Sequence, residues 1–465
     1  MRNKKGKSKG NLPIIDEIGK TSDTLSSRGG LSLFVRYFRN IGFAPHIERL
    51  FGTIRKNRKG QCVAEIFKQL LCNFIDGTSR HLVYFDSLKG DAGYAGTIES
   101  REGSMLSSHA VKRFYNSFSW YRIWLFRYLL QELFIWRLNL KKPDVVELFI
   151  DTVVMDNDEA KKRHGVQPTY KDKNGFQPLQ MIWGRFIIDT VFRGGKKHSN
   201  YGNTVENMVC HMVEKIRKKY RKDVPVIIKM DSGFFDQKLF AVFERLEIGY
   251  ICSGKMYTDI RNYAGKVDDA SWKHYRNKHQ VWDYVEFMDK RGSWSQSRRA
   301  IYCRPFYDGI QQVIDFARED TILYTNMGIG QKIDNLLAKV GQLKLLHAEK
   351  IIECTHSRGR DELVHRALKD FGSEELPFKK FAPNAAYYYT MVLAFFLFET
   401  FKEDVCSSVV SVTAYAVTIR RRIIDCAAKI VKTGGKIIIK VTSATWNALK
   451  IDVLWKKSGS PPQFV

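Results

Sequence analysis

The sequence predicts an α/β protein in which a mixed-sheet core follows a helical region and is split by a β-rich insertion. Three observations carry that expectation. Apolar residues recur at three- and four-residue spacing early in the chain, as in "LSLFVRYFRNIG" and "VAEIFKQLLCNFI", the period of an amphipathic helix. From Val145 the pattern changes to short apolar runs alternating with helical stretches, as βα units require. Between 255 and 330 polar and apolar residues alternate, as in half-buried strands. With 465 residues, 44% of them hydrophobic, the chain has material for several domains and a sizeable core.

Residues 1–29 begin "MRNKKGKSKG", a basic flexible tail without the apolar stretch of a signal peptide. Residues 30–140 read as a helical DNA-binding region. Within it, Asp86 to Gly103 is rich in Gly and Asp and reads as a loop. "SSHAVKRFYNSFSWYRIWLFRYLL" reads as helical, with Ser107 or Ser108 as its N-cap. Lys112 and Arg113 there fit a helix-turn-helix reader of DNA or an ordinary basic amphipathic helix.

The first part of the core, 141–254, opens with a strand in "VVELFI" and a hairpin in "FQPLQMIWGRFIIDTVFRGG". A helix over "TVENMVCHMVEKIRKKYRK", a strand in "VPVIIKMDSGFF", a helix over "FDQKLFAVFERLEI" and a strand in "GYICSG" complete it. The insertion, 255–330, holds "VWDYVEFMD", "RRAIYCRPF" and "TILYTNM". Helices resume over 331–404, the second part of the core. Residues 405–465 carry a basic helix around "IRRRIIDCAAKIVK" and a strand in "GKIIIKV", and read as a DNA-contacting or dimerisation region.

Lys and Arg total 76 against 49 for Asp and Glu, a net charge of +27. That excess calls for a polyanionic partner, most simply nucleic acid. No amphipathic anchor or lipidation site points to a membrane. The apolar run Ala385 to Phe398 is short for a transmembrane span and reads as a buried helix. Eight cysteines, none in a CxxC pair, suit the core thiols of a cytosolic protein.

"LFIDTVVMD" sets Asp151 among apolar residues, and "VPVIIKMD" closes on Asp231 in the same way. A buried carboxylate needs a compensating cation or donor. Asp151 alone fits a loop start or an ion pair. If the two strands are neighbours, both acids emerge at one sheet edge, where two carboxylates repel unless a cation lies between them. Mg²⁺, with Mn²⁺ as a substitute, suits such oxygen ligands, and two ions about 3.5–4 Å apart serve phosphodiester chemistry. The third acid is Glu362. Arg358 lies four residues before it and Lys369 seven after, offsets that share one helix face. A solvated helix with a routine ion pair would show the same stripe.

Asp151-Thr152, Asp231 and the trio Arg358, Glu362 and Lys369 resemble the DDE transposases of bacterial insertion sequences, in the group with the signature Tyr-x2-Arg-x3-Glu-x6-Lys. Both gaps match, while Thr355 stands at the Tyr position. "KMDSGFF" and "FRGGKKHSN" echo segments of one subgroup. The likeness spans roughly Leu31 to Val441. It implies a ribonuclease H-like core with an insertion between the second Asp and the Glu. It also implies cleavage at transposon ends and joining of the freed 3′-hydroxyls to target DNA, with Asp151, Asp231 and Glu362 as catalytic metal ligands. The expected partners are the double-stranded inverted-repeat ends and target DNA, bound by a homodimer in a synaptic complex. The expected location is the bacterial cytoplasm, at the nucleoid. An inactive, transposase-derived DNA-binding protein and a ribonuclease H-like nuclease without strand transfer are the alternatives.

Smaller expectations complete the site. Trp272, Trp282 and Trp294 either stack on a displaced base or cover a small core. Arg193, Lys196, Lys197 and His198 either grip phosphates or line a solvated loop. Arg420, Arg421 and Arg422 either contact DNA backbone or cap a helix end.

Overall fold

The structure, a computed structural model, describes residues 15, 17–55, 60–276, 281–306, 319–356 and 359–464. Among them, nine strands form one mixed sheet. Third from one edge is the strand Val146–Thr152, whose β-branched and aromatic residues suit a pleated, doubly covered surface. On one side lies the antiparallel hairpin Leu179–Trp183 and Phe186–Val191. On the other, Val226–Met230 pairs in parallel, and Gly249–Ser253 pairs in parallel beyond it. Three consecutive antiparallel strands of this sheet, then two parallel strands on the far side of the first, is the order of a ribonuclease H-like core. The helix Thr204–Lys219 supplies the first parallel crossover and Gln237–Arg245 the second, as parallel pairing demands.

The β-rich insertion continues this sheet instead of standing apart. Thr321–Thr325 pairs antiparallel with Gly249–Ser253, then Arg298–Phe306, Val281–Asp289 and Lys273–Arg276 follow outward. A second apolar cluster, including Trp282, Tyr284, Ile301, Leu323, Ile333 and Ile352, fills the space between this extension and the helices Lys332–Lys339 and Ala348–His356.

The helical region shares one hydrophobic core with the sheet. The helix Phe381–Asp404 is the common wall. It is buried from Pro383 to Lys402 and packs against the helices Val63–Asp76 and Trp120–Lys141. It is long and apolar enough to cross a membrane by length and composition, but that face-all-round apolarity is spent on protein neighbours. The expected loop from Asp86 to Gly103 contains the short helices Tyr84–Lys89 and Ala92–Thr97. Ser107 is the N-cap of Ser108–Asn116, its side chain accepting the Ala110 N–H at 3.2 Å.

Two expectations at the chain ends are corrected. "IRRRIIDCAAKIVK" is helical only through Ile424. Ala428–Thr433 is a strand, paired with Lys436–Lys440. Within the tail expected over 1–29, Thr24–Ser26 forms a strand on the other edge of Ala428–Thr433. Gly29 N–H donates to the Cys426 carbonyl at 2.8 Å, and a Cβ on Gly30 would lie 1.8 Å from the Ile423 carbonyl oxygen. No side chain fits there.

Candidate active site

Strand register brings the first two acids together. Ile150 pairs with Met230 on parallel neighbours, so Asp151 and Asp231 follow at the same level on strands about 4.8 Å apart. Asp151 is 15% exposed at its side chain, and its Oδ1 accepts the Thr152 N–H at 2.7 Å. Asp231 caps the turn Ser232–Phe234, its Oδ1 accepting the Gly233 N–H at 2.8 Å. Both carboxylates thus stand at the sheet edge with backbone donors fixing one oxygen each.

The helix Gly359–Phe371 lies across this edge and carries Glu362, which is exposed. The helix touches the first strand through His365, whose Nε2 stands 3.3 Å from Asp151 Oδ2 and whose Nδ1 meets Gln180 Oε1 at 2.9 Å. Glu362, His365 and Lys369 are three and four residues apart, so they share a face. Lys369 pairs with Glu374 at 2.7 Å. The following turn is tied down by buried Asn157, which donates to the Glu374 carbonyl at 3.1 Å and accepts the Leu376 N–H at 3.0 Å.

Tyr170 reports on all three acids. It sits on the turn between the short strands Gln167–Pro168 and Asn174–Phe176. Its phenol is pushed up to about 12 by partial burial first, then by the negative charges of Asp151 and Asp231, with Glu362 adding to them; a hydrogen bond with Thr152 acts in the opposite direction. One hydroxyl therefore feels every member of the trio. Among the described residues, no three His, Cys, Asp or Glu side chains stand close enough to hold one ion. Joint ligation of one ion thus calls for these groups to draw closer together. The donor chemistry fits a hard divalent cation: three carboxylates on two strand ends and a facing helix.

Of the expected site residues, Arg358 lies outside the described residues. Lys112, Arg113 and Lys196 are exposed, and Lys197 holds its ammonium 3.6 Å from the Tyr201 ring centre. Three expectations need correction. Arg193 is 5% exposed and donates to the carbonyls of Gln177 and Ser199 at 3.1 and 3.3 Å. It braces the loop after the hairpin from inside. Trp282 and Trp294 are 2% and 7% exposed, so neither offers a ring face for stacking. Trp294 packs against Phe235 and Tyr324 with Arg298 over its ring, and Trp282 belongs to the second apolar cluster. Trp272 is buried as well, beneath Arg304 at 3.8 Å.

Tyr170, His365 and Gln180 escaped the sequence reading. His365 was within reach of it, three residues after Glu362 and on the same helix face. Tyr170 is an exposed aromatic in the turn-rich stretch "PTYKDKNG", a signal without a partner until the fold is known. Gln180 lies opposite Asp151 across the antiparallel pair, a relation only register reveals.

The model of the family described as "Transposase DDE domain group 1" matches residues 17–453. No curated protein matches the chain. Among solved structures, the cryo-EM structure of a piggyBac transposase synaptic complex with hairpin DNA is similar over 85% of this chain and 79% of that one, at 14% identity and a TM-score of 0.40.

Proposed function

The chain belongs to the family of DDE transposases, and from that premise we propose that it cuts DNA at transposon ends and joins the freed 3′-hydroxyls to target DNA. Asp151, Asp231 and Glu362 are the ligands for two divalent cations, Mg²⁺ or Mn²⁺. The observation that carries this reading is the in-register exit of Asp151 and Asp231 from parallel strands, with the Glu362 helix lying across them. Bound cations would supply an activated attacking oxygen and stabilise the leaving one. The chain's own groups hold the carboxylates in place: the Thr152 and Gly233 amides fix one oxygen of each Asp, and His365 registers the helix on the first strand.

DNA enters over a basic surface. Exposed Lys112 and Arg113 on the helical region, and Lys196 beside the hairpin loop, contact the backbone. The helical region 30–140 grips the inverted-repeat ends, and a homodimer holds two ends together.

The test uses DNA carrying the inverted repeats that flank the coding sequence. The wild-type protein is expected to nick and join these ends in Mg²⁺ or Mn²⁺ and to do neither in EDTA. Asp151→Ala, Asp231→Ala and Glu362→Ala should each abolish nicking with end binding retained. Nicking without joining would reduce the protein to a nuclease. Full cleavage by a folded Glu362→Ala protein would remove that residue from the site.

A further inference from the structure

We propose that His365 is a further ligand of the divalent-cation site, binding through Nε2 beside Asp151. The proposal rests on the reading of Asp151 as a metal ligand and adds a nitrogen donor to a set of carboxylates.

The argument follows a chain of buried hydrogen bonds whose directions are fixed from one end. The Thr190 hydroxyl donates to the Leu179 carbonyl at 2.8 Å. Its oxygen therefore accepts from the Tyr388 hydroxyl, 3.1 Å away. With its proton committed, the Tyr388 oxygen accepts from Gln180 Nε2 at 2.7 Å. That orientation of the amide turns Gln180 Oε1 toward His365 Nδ1, at 2.9 Å. Nδ1 must carry a proton, since an acceptor faces it. Thr190, Tyr388 and Gln180 are fully buried, so water does not scramble the chain.

Nε2 is what remains. It is buried, makes no hydrogen bond among the described residues, and stands 3.3 Å from Asp151 Oδ2. An imidazole whose Nδ1–H is held by an amide or carboxylate oxygen while Nε2 faces an anionic cleft is how proteins present a histidine to a metal. The spacing agrees. Two donors at right angles around one ion, each about 2.1 Å from it, stand about 3 Å apart. In the unprotonated ring the Nε2 lone pair opposes the carboxylate, and a cation between them removes the opposition. Imidazole also shifts preference, because nitrogen favours Mn²⁺ and later metals over Mg²⁺.

The experiment is pulsed electron paramagnetic resonance on the full-length protein loaded with Mn²⁺, without DNA, beside calorimetric titration with Mn²⁺ and with Mg²⁺. Wild type is expected to show nitrogen coupling to the bound ion, absent in His365→Ala. Mn²⁺ affinity should fall about tenfold or more in that variant, and Mg²⁺ affinity less. Gln180→Leu keeps the imidazole but frees its tautomer, and should weaken Mn²⁺ binding while nitrogen coupling persists. Bound Mn²⁺ that Asp151→Ala abolishes, yet without nitrogen coupling in wild type, would overturn the ligation and leave His365 as an ion-pair partner of Asp151. Mn²⁺ binding indifferent to Asp151→Ala would instead sink the active-site reading itself. Melting curves of all three variants separate lost ligation from lost folding.

Discussion

Arg420 sends its guanidinium between two helix ends, donating to the carbonyls of Phe74 and Ile75 at 2.7 and 2.9 Å and to that of Phe371 at 2.7 Å. Cations are favoured at helix C-termini. Burial nevertheless brings the guanidinium down to about 10, still charged at neutral pH. Arg420→Ala orphans those acceptors and is expected to cost about 2–3 kcal/mol, read as a shifted denaturation midpoint. Arg420→Lys should recover little, lacking the planar fork. Gly77, at φ +64, closes the same contact: a Cβ there would meet Arg420 Cζ at 2.1 Å. At the active site, the phenolate signal removed by Tyr170→Phe should centre near 12 in wild type. It should move back toward the ordinary tyrosine value of about 10 in Asp151→Asn. An unchanged titration would separate Tyr170 from the acids. The acids themselves were legible as sequence because a carboxylate closing an apolar run is costly wherever it lands. Arg193 was not, since a basic cluster after a strand looks the same whether its first member points out or in.

At the level of elements, the proposed site needs the helix Gly359–Phe371 to hold its angle across the sheet, so that Glu362 faces the strand ends. Asn157 fixes the turn after that helix with two hydrogen bonds, one of them buried. Asn157→Ala should cost about 1–3 kcal/mol, speed amide exchange over 359–371, and reduce cleavage more than DNA binding. Undisturbed exchange would show the helix is anchored elsewhere. Strand and helix types across the core followed from the pattern, because short apolar runs buried on both faces alternate there with longer stretches of helical period. Ala428–Thr433 was harder. "AAKIVK" satisfies a helical stripe and a strand alternation equally, and the partner that decides, Thr24–Ser26, lies at the opposite end of the chain. The insertion was legible as β-rich but not as an extension of the main sheet, since edge pairing with Gly249–Ser253 leaves no mark on either strand's own pattern.

For the whole molecule, a net charge of +27 makes salt the sensitive variable. If DNA is held through six or more phosphates, affinity should fall about a thousandfold between about 50 and 200 mM salt. A slope near zero would point to a partner other than nucleic acid. Because the helical region and the sheet share one core, unfolding is expected as a single transition, and separated halves should not fold alone.

The three-stranded sheet that joins Thr24–Ser26 to Ala428–Thr433 sets an order on synthesis. Thr24–Ser26 leaves the ribosome well before the strand that pairs with it, and it has no ladder neighbour until Ala428–Thr433 emerges. A copy cut short before Ala428 would therefore leave Thr24–Ser26 unpaired as well, opening a second site to proteolysis far from the cut.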